Sequence, residues 1–139
     1  QSISQNLGVK VELNTVGDYQ MFANERDNKN YDIFVGGWFS DYNDPLDFLN
    51  VMKTGVYDSY GLYSNSEYDS LIDSLTGEND NAKRLEIYQK LEDLLVAQDC
   101  GVAPLYYSDK HYYYRNWVKD FYTSSFGASQ ELYRASVQK

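Results

Sequence analysis

Two apolar patterns on either side of a short helix are the feature that most limits the fold of this chain. Residues 9–14, "VKVELN", alternate apolar and polar side chains as a half-covered strand does, whereas residues 32–37, "DIFVGG", are nearly all apolar, as a central strand is. Between them, Asp18 can cap a helix that places Phe22 and Ala23 on one face. A strand, a helix and a strand in this order predict a right-handed crossover and a parallel pair. The expected fold class is α/β, with a mixed, mainly parallel sheet flanked by helices.

Three further helices are predicted along the chain. The first starts with Asp44 as N-cap and Pro45 at the first helical position and stops at Gly55. The other two are "SNSEYDSLIDSLTG" and the longer "NDNAKRLEIYQKLEDLLVAQDCG", both with apolar side chains at helical spacing. The side chains expected in the core from these helices are Leu46, Phe48, Leu49, Met52, Tyr68, Leu71, Ile72, Leu75, Leu85, Ile87, Tyr88, Leu91, Leu94 and Leu95.

The C-terminal part of the chain carries three more strand candidates. They are "VAPLYYSD", "HYYYRNW" and "ELYRASV", and the segment "RNWVKDFYTSSFG" fits a loop or a short helix equally well. We find no repeat and no interdomain linker, so residues 1–139 are expected to form a single domain. Because the chain opens on "QSISQNLG", which has the pattern of a helix end, we expect it to be an excised piece of a longer protein.

Composition narrows the class of partner. A net charge of −9 opposes binding to nucleic acid phosphates and to anionic lipid head groups, and no apolar run approaches the ~18 residues that span a bilayer. We therefore expect no nucleic acid partner and no direct membrane insertion. The 15 tyrosines are too many to bury with their hydroxyl groups satisfied, which favours a binding surface. Cys100 is the only cysteine, so no disulfide can form within the chain, and we expect it to be a small buried side chain.

Catalytic and metal motifs are weak in this sequence. His111 is the only histidine and lies in a segment expected to be exposed, so a triad is not favoured. Asp41, Asn43 and Asp47 leave open a loose calcium site, although Leu46 stands where an EF-hand needs glycine. Asp41 and Asp44 also leave open a glycosidase acid pair. We expect a binding protein that is not an enzyme and that has no cofactor.

The exit of the strand at residues 32–37 has the chemistry of a peptide site. Asp41 can make a charge-assisted hydrogen bond to an ammonium group, and Trp38 can supply a ring face beside it. Gly37 allows another backbone to come close. The competing interpretation is structural, with Trp38 in the core and Asp41 forming a turn before Pro45.

The segment "YDIFVGGWFSDYNDPLDFL" resembles the GW-x-x-DY-x-[DE]P-x-x-FL signature of the oligopeptide-binding proteins of bacterial ABC importers, the extracytoplasmic solute-binding proteins of family 5. The resemblance continues through "YSNSEYDSLIDSL" and through "RLEIYQKLEDLLVAQDCGVAPLYYSDKHYYYRNWVKDF", which covers nearly the whole chain. It implies a two-lobed clamp of the type II periplasmic-binding-protein kind, with this chain forming most of the second, C-terminal lobe.

The resemblance also implies roles for individual residues. Asp41 falls on the residue that pairs with the peptide α-ammonium, Trp38 on a ring that lines a side-chain pocket, and Phe39 on a position that contacts the peptide backbone. Tyr42 favours the oligopeptide branch, and Gly37 completes the expected site.

The whole protein implied by the resemblance would lie outside the cytoplasmic membrane, in the periplasm or as a lipoprotein at the cell surface. It would deliver oligopeptides to an ABC permease, with the N-terminal lobe as its other half. The resemblance leaves open a lobe that binds a sugar, a metal complex or heme, and the residues alone leave open a carbohydrate-active module or a structural interaction domain.

Overall fold

The computed structural model describes residues 2–56, 62–124, 126 and 132–138. It divides the chain into two compact units, residues 1–34 and residues 35–139. Predicted helices are largely present, whereas most predicted strands are not.

The first unit is built from two short helices. Helix α1 covers Ser2–Leu7 and ends at Gly8, which has a φ of +67° and donates its amide to the Ser4 carbonyl at 3.0 Å. Helix α2 covers Tyr19–Asp27. Asp18 caps α2 as predicted, since its carboxylate accepts the Met21 amide at 2.8 Å. The interior of this unit is small because Ala23 is its only buried side chain among the described residues.

The second unit contains a helical core. Its elements are α3 at Leu46–Leu49, a 3₁₀ turn at Asn50–Met52, α4 at Ser66–Ser74, α5 at Asn81–Glu92 and a π-helical turn at Asp93–Gln98. One continuous cluster of buried side chains joins them: Leu49, Val51, Met52, Tyr68, Ile72, Leu75, Tyr88, Leu91, Leu94 and Leu95. Tyr68 lies at its centre with no exposed surface, and its hydroxyl donates to the Leu49 carbonyl at 2.8 Å.

Two side chains expected in this core lie at the surface instead. Phe48 is 47% exposed and Leu85 is 57% exposed, whereas the neighbouring Asp47 is buried. The α3 segment is rotated so that Asp47 faces inward, where N–H groups of the preceding loop satisfy its carboxylate. Cys100, expected to be buried, is also exposed, and it follows the π-helical turn in the left-handed conformation with a φ of +51°.

Only one strand pair forms in the part of the second unit that the structure describes. Strand β1, Val118–Lys119, pairs antiparallel with β2, Ser136–Val137, and Val118 lies opposite Val137. The final strand predicted in "ELYRASV" is therefore present at Ser136–Val137, and the undecided segment before it contributes β1 after a turn. Residue 131, at the start of that predicted strand, lies outside the described residues.

The other predicted strands are not formed. Residues 9–14, 32–37 and 101–115 have no strand structure, and the parallel pair expected from the first two is not seen among the described residues. A strand is defined by hydrogen bonds to a neighbouring strand, so a suitable pattern of side chains does not form one without such a neighbour. Most apolar side chains of these segments accordingly remain exposed, with Leu13 at 84% and Ile33 at 83%, although Val102 packs against the core.

Candidate functional site

The segment that the sequence singled out forms a loop that leads into α3. Trp38 is half-buried and packs against the helical core, whereas Gly37, Phe39, Asp41 and Tyr42 are exposed. The structure therefore places all five predicted site residues on one short stretch of the second unit, and it leaves four of them accessible to a ligand.

Asp47 organises this loop from inside. Its Oδ2 atom accepts the indole N–H of Trp38 at 3.2 Å and the backbone N–H of Asp41 at 2.7 Å. Asp47 is 7% exposed, so both bonds lie largely away from water and hold the two residues to the first turn of α3. Trp38 thus contacts the core and also borders the exposed part of the loop.

A second acidic side chain attaches the loop to α5. The Oδ1 atom of Asp44 accepts the Leu46 amide at 2.9 Å, although the N-cap position of α3 is occupied by Pro45, one residue later than predicted. The Oδ2 atom of Asp44 pairs with Arg84 at 2.7 Å, and the Tyr88 hydroxyl donates to its Oδ1 atom at 2.5 Å. Arg84 also donates to the carbonyls of Leu75 and Glu78, so one side chain connects α5, the end of α4 and the loop.

The pKa values at this junction follow from its contacts. Partial burial acts to raise the pKa of Asp44, but the hydrogen bonds from Tyr88 and Leu46 and the charge of Arg84 outweigh it and hold the pKa below 3.8. Burial, followed by the hydrogen bond to Asp44, raises the pKa of Tyr88 to about 12. Asp44 is thus an ionised acceptor near neutral pH, and both of its oxygens are engaged by groups of the chain itself, which makes it part of the scaffold.

The electrostatic character of the exposed face is negative. Partial burial and then the charges of Asp47, Asp44 and Asp41 raise the pKa of the Tyr42 phenol. The Asp41 carboxylate has no cationic partner among the described residues, in contrast to Asp44. A negative rim with an available carboxylate suits a ligand that carries a positive charge.

Aromatic side chains flank this rim. Phe39 is 64% exposed, and the Lys110 ammonium lies 4.8 Å from the centre of its ring. This contact places Lys110, in the extended segment 101–115, next to the loop that carries Asp41. Sequence reasoning did not find it, since nothing in the pattern around Lys110 indicates a neighbour so far away along the chain.

The sequence placed Asp47 only in a loose calcium site and gave no indication that Arg84 and Tyr88 contact Asp44. A signal for Asp47 was available, because an acid at a helix position between core side chains must have buried partners. Arg84 and Tyr88 gave none, since an arginine and a tyrosine at i and i+4 are ordinary in an amphipathic helix. No group of three or more His, Cys, Asp or Glu side chains able to hold a metal ion occurs within the described ranges. His111 is exposed.

No family model matches the chain. Comparison of its sequence with known proteins nevertheless identifies relatives. It is 32% identical over 118 residues to the oligopeptide-binding protein OppA of Bacillus subtilis, a match covering 84% of this chain and 20% of the relative. It is also 32% identical over 114 residues to the periplasmic oligopeptide-binding protein OppA of Salmonella typhimurium, covering 82% of this chain and 21% of the relative.

A solved structure agrees with these sequence matches. The substrate-binding domain of an oligopeptide ABC transporter from Bacillus anthracis superposes with a TM-score of 0.87 at 29% identity, covering 99% of this chain and 27% of that one. The chain spans about a fifth of the length of the curated relatives it matches. Over most of its own length, therefore, this chain is a homologue of the oligopeptide-binding proteins of ABC transporters.

Proposed function

We propose that the chain forms most of the second lobe of a two-lobed protein that captures oligopeptides outside the cytoplasmic membrane and delivers them to an ABC permease. The protein would bind peptides without changing a covalent bond, either in the periplasm or as a lipoprotein. No described helix is long and apolar enough to cross a bilayer. The relatives named as oligopeptide-binding proteins support this proposal over a sugar, heme or metal-complex carrier.

The observation that carries the proposal is the exposed Asp41 carboxylate on an aromatic rim whose backbone is fixed from within. A peptide α-ammonium group can pair with Asp41 by a charge-assisted hydrogen bond. Phe39 and Tyr42 offer ring faces for the first side chains, and Gly37 leaves room for the peptide backbone because nothing lies within 4 Å of the position a Cβ would take. These contacts recognise the peptide terminus and main chain, so they tolerate many sequences.

The exposed apolar segments fit the same proposal. Residues 9–14, 32–37 and 101–115 have strand-like patterns but no strand partners among the described residues. In the whole protein we expect them to join a mixed, mainly parallel sheet of a single lobe, with the N-terminal lobe closing over the peptide by a hinge motion. The chain alone would then bind peptides weakly, with a Kd in the millimolar range, because one lobe covers only part of the ligand (about 4 kcal/mol of binding free energy).

Calorimetry on the full-length protein tests this function. A peptide pool with free N-termini should bind, and the same pool after N-acetylation should bind poorly. Asp41→Ala should weaken binding of the free pool by about 2 to 4 kcal/mol, since a desolvated ammonium would lose its partner. Glu86→Ala, which removes an exposed negative charge from α5, is the matched control. Equal affinity of the wild-type protein for both pools would contradict the proposed role of Asp41.

A further inference from the structure

Asp47 lies behind the exposed site, and the proposed contacts with a peptide do not use it. It is the only buried charged side chain among the described residues, at 7% exposed. Burial of a carboxylate is unfavourable unless hydrogen bonds compensate it, so its partners indicate what it does. Those partners are the Trp38 indole and the Asp41 amide, which belong to two of the five residues predicted to form the site.

The geometry makes one oxygen atom common to both contacts. The Oδ2 atom of Asp47 accepts from Trp38 Nε1 at 3.2 Å and from Asp41 N at 2.7 Å. The indole N–H of Trp38 and the backbone N–H of Asp41 are thus both held by a single atom. Loss of that atom removes both hydrogen bonds together.

The backbone of Asp47 is itself held by a hydrogen bond to Asp44. Its amide donates to the Asp44 carbonyl at 3.1 Å, and Asp44 is held by Arg84 and Tyr88 from α5. The carboxylate therefore projects from a turn that is attached to the helical core. A group held in this way can fix a loop whose outer side chains remain in water.

We propose that Asp47 is a positioning residue that sets the free-amine specificity of the site by fixing Trp38 and the Asp41 backbone through one carboxylate oxygen. This inference rests on the proposed function for its effect on binding, but not for its effect on Trp38. The buried acceptor keeps the Asp41 carboxylate directed to one place on the rim, so an ammonium group meets it without reorganisation of the loop.

Two substitutions of similar size separate an acceptor role from a packing role. Asp47→Asn keeps an oxygen that can accept both N–H groups, and Asp47→Leu removes it. We expect Asp47→Leu to lower the preference for free over acetylated peptides by about tenfold, the loss expected for a hydrogen bond to a charged group. Asp47→Asn should retain most of that preference. Leu49→Ala, which opens the core on the same helix, is the control for a loss of stability without loss of the acceptor.

Trp38 supplies a measurement that does not depend on any ligand. The chain has two tryptophans, Trp38 and Trp117, so a Trp117→Phe background leaves Trp38 as the single tryptophan of the chain. In that chain, Asp47→Leu should shift the Trp38 emission maximum and increase its quenching by iodide, whereas Asp47→Asn, which keeps the acceptor oxygen, should not. Unchanged Trp38 emission and quenching in Asp47→Leu would overturn the inference.

The two proposals can fail separately. If the full-length protein shows no preference for a free amine but Trp38 responds to Asp47→Leu, the proposed peptide function fails and the positioning of Trp38 stands. If the preference exists and disappears in Asp41→Ala but is unchanged in Asp47→Leu, the peptide function stands and the role of Asp47 in specificity is overturned. A Leu49→Ala protein that loses the preference as strongly as Asp47→Leu would also overturn it, since stability alone would then explain the effect.

Discussion

Gly101 lies where the chain leaves the helical core, and its environment shows how closely this corner is packed. A Cβ atom at this position would lie 2.6 Å from Cδ2 of Tyr63 and 3.1 Å from Cδ1 of Leu95. The amide of Gly101 also donates to the Leu95 carbonyl at 2.8 Å, so the backbone has little freedom to move away.

Gly101 is itself exposed, but an added methyl group would have to displace the Tyr63 ring, so Gly101→Ala should lower the free energy of unfolding by about 1 to 3 kcal/mol, the usual range for overpacking. Gly37→Ala is the control, because nothing lies within 4 Å of its Cβ position. Urea unfolding of the two variants measures the difference. Equal midpoints would show that the Tyr63 ring moves aside without a penalty.

At the scale of elements, the junction between α5 and the loop before α3 consists of the contacts of Asp44 with Arg84 and Tyr88, and it depends on an ionised Asp44. Because its pKa is lower in the folded chain than its ordinary value of 3.8, the junction contributes its full stability above that value. The contribution is lost as the pH falls through the lowered pKa, since protonated Asp44 no longer pairs with Arg84.

Arg84→Met should make the free energy of unfolding less dependent on pH below about pH 4, because less is left to lose on protonation. Urea unfolding from about pH 7 to about pH 3 compares the variant with the wild-type chain. Lys90→Met, which removes an exposed charge with no ion-pair partner among the described residues from the same helix, is the matched control and should keep the wild-type pH dependence. Parallel curves for all three proteins would contradict the role assigned to Arg84.

The start of α5 gives a second test at this scale. The Asp80 carboxylate accepts the amides of Ala82 at 2.8 Å and Lys83 at 3.2 Å, which satisfies two N–H groups that have no partner within the helix. Asp80→Ala should cost about 1 kcal/mol of unfolding free energy, whereas Asp80→Asn keeps an acceptor and should lie within a few tenths of the wild-type value. Thermal unfolding followed by circular dichroism distinguishes the two variants.

The helices also show where local patterns in a sequence are sufficient. Asp18 and Gly8 were identified from the residues alone, because a capping side chain or a helix-ending glycine acts within about four residues along the chain. The structure buries Asp47 and exposes Phe48, which was predicted in the core. The rotation of a one-turn helix depends on the side chains that it packs against, and these are distant in sequence. The contact between Arg84 and Asp44 spans 40 positions and has no local signature.

At the scale of the whole molecule, the described residues combine a packed helical core with long extended segments. Tyr107 is 99% exposed and Tyr113 is 94% exposed, whereas Leu91 in α5 is fully buried. The strands predicted in the extended segments are not formed, because a strand also needs a neighbour, and that neighbour is not specified by the side-chain pattern of the segment itself.

Amide hydrogen exchange on this chain should reveal that contrast. The amides of Leu91, Leu94 and Leu95 should exchange slowly, by local or global opening of the core, and those of residues 103–114 should exchange at close to the rate of an unfolded peptide. Protection of residues 103–114 comparable to that of α5 would contradict this expectation and would indicate that these residues are paired in solution.

The contacts of Asp47 also bear on the order in which the molecule folds. They join residues only nine and six positions apart, so closing these loops loses little conformational entropy and is fast. The bond between Arg84 and Asp44 closes a loop of 40 positions and must wait for α5 to pack. The loop at residues 38–47 would therefore acquire its internal shape early, and α5 would pack against a loop that is already formed.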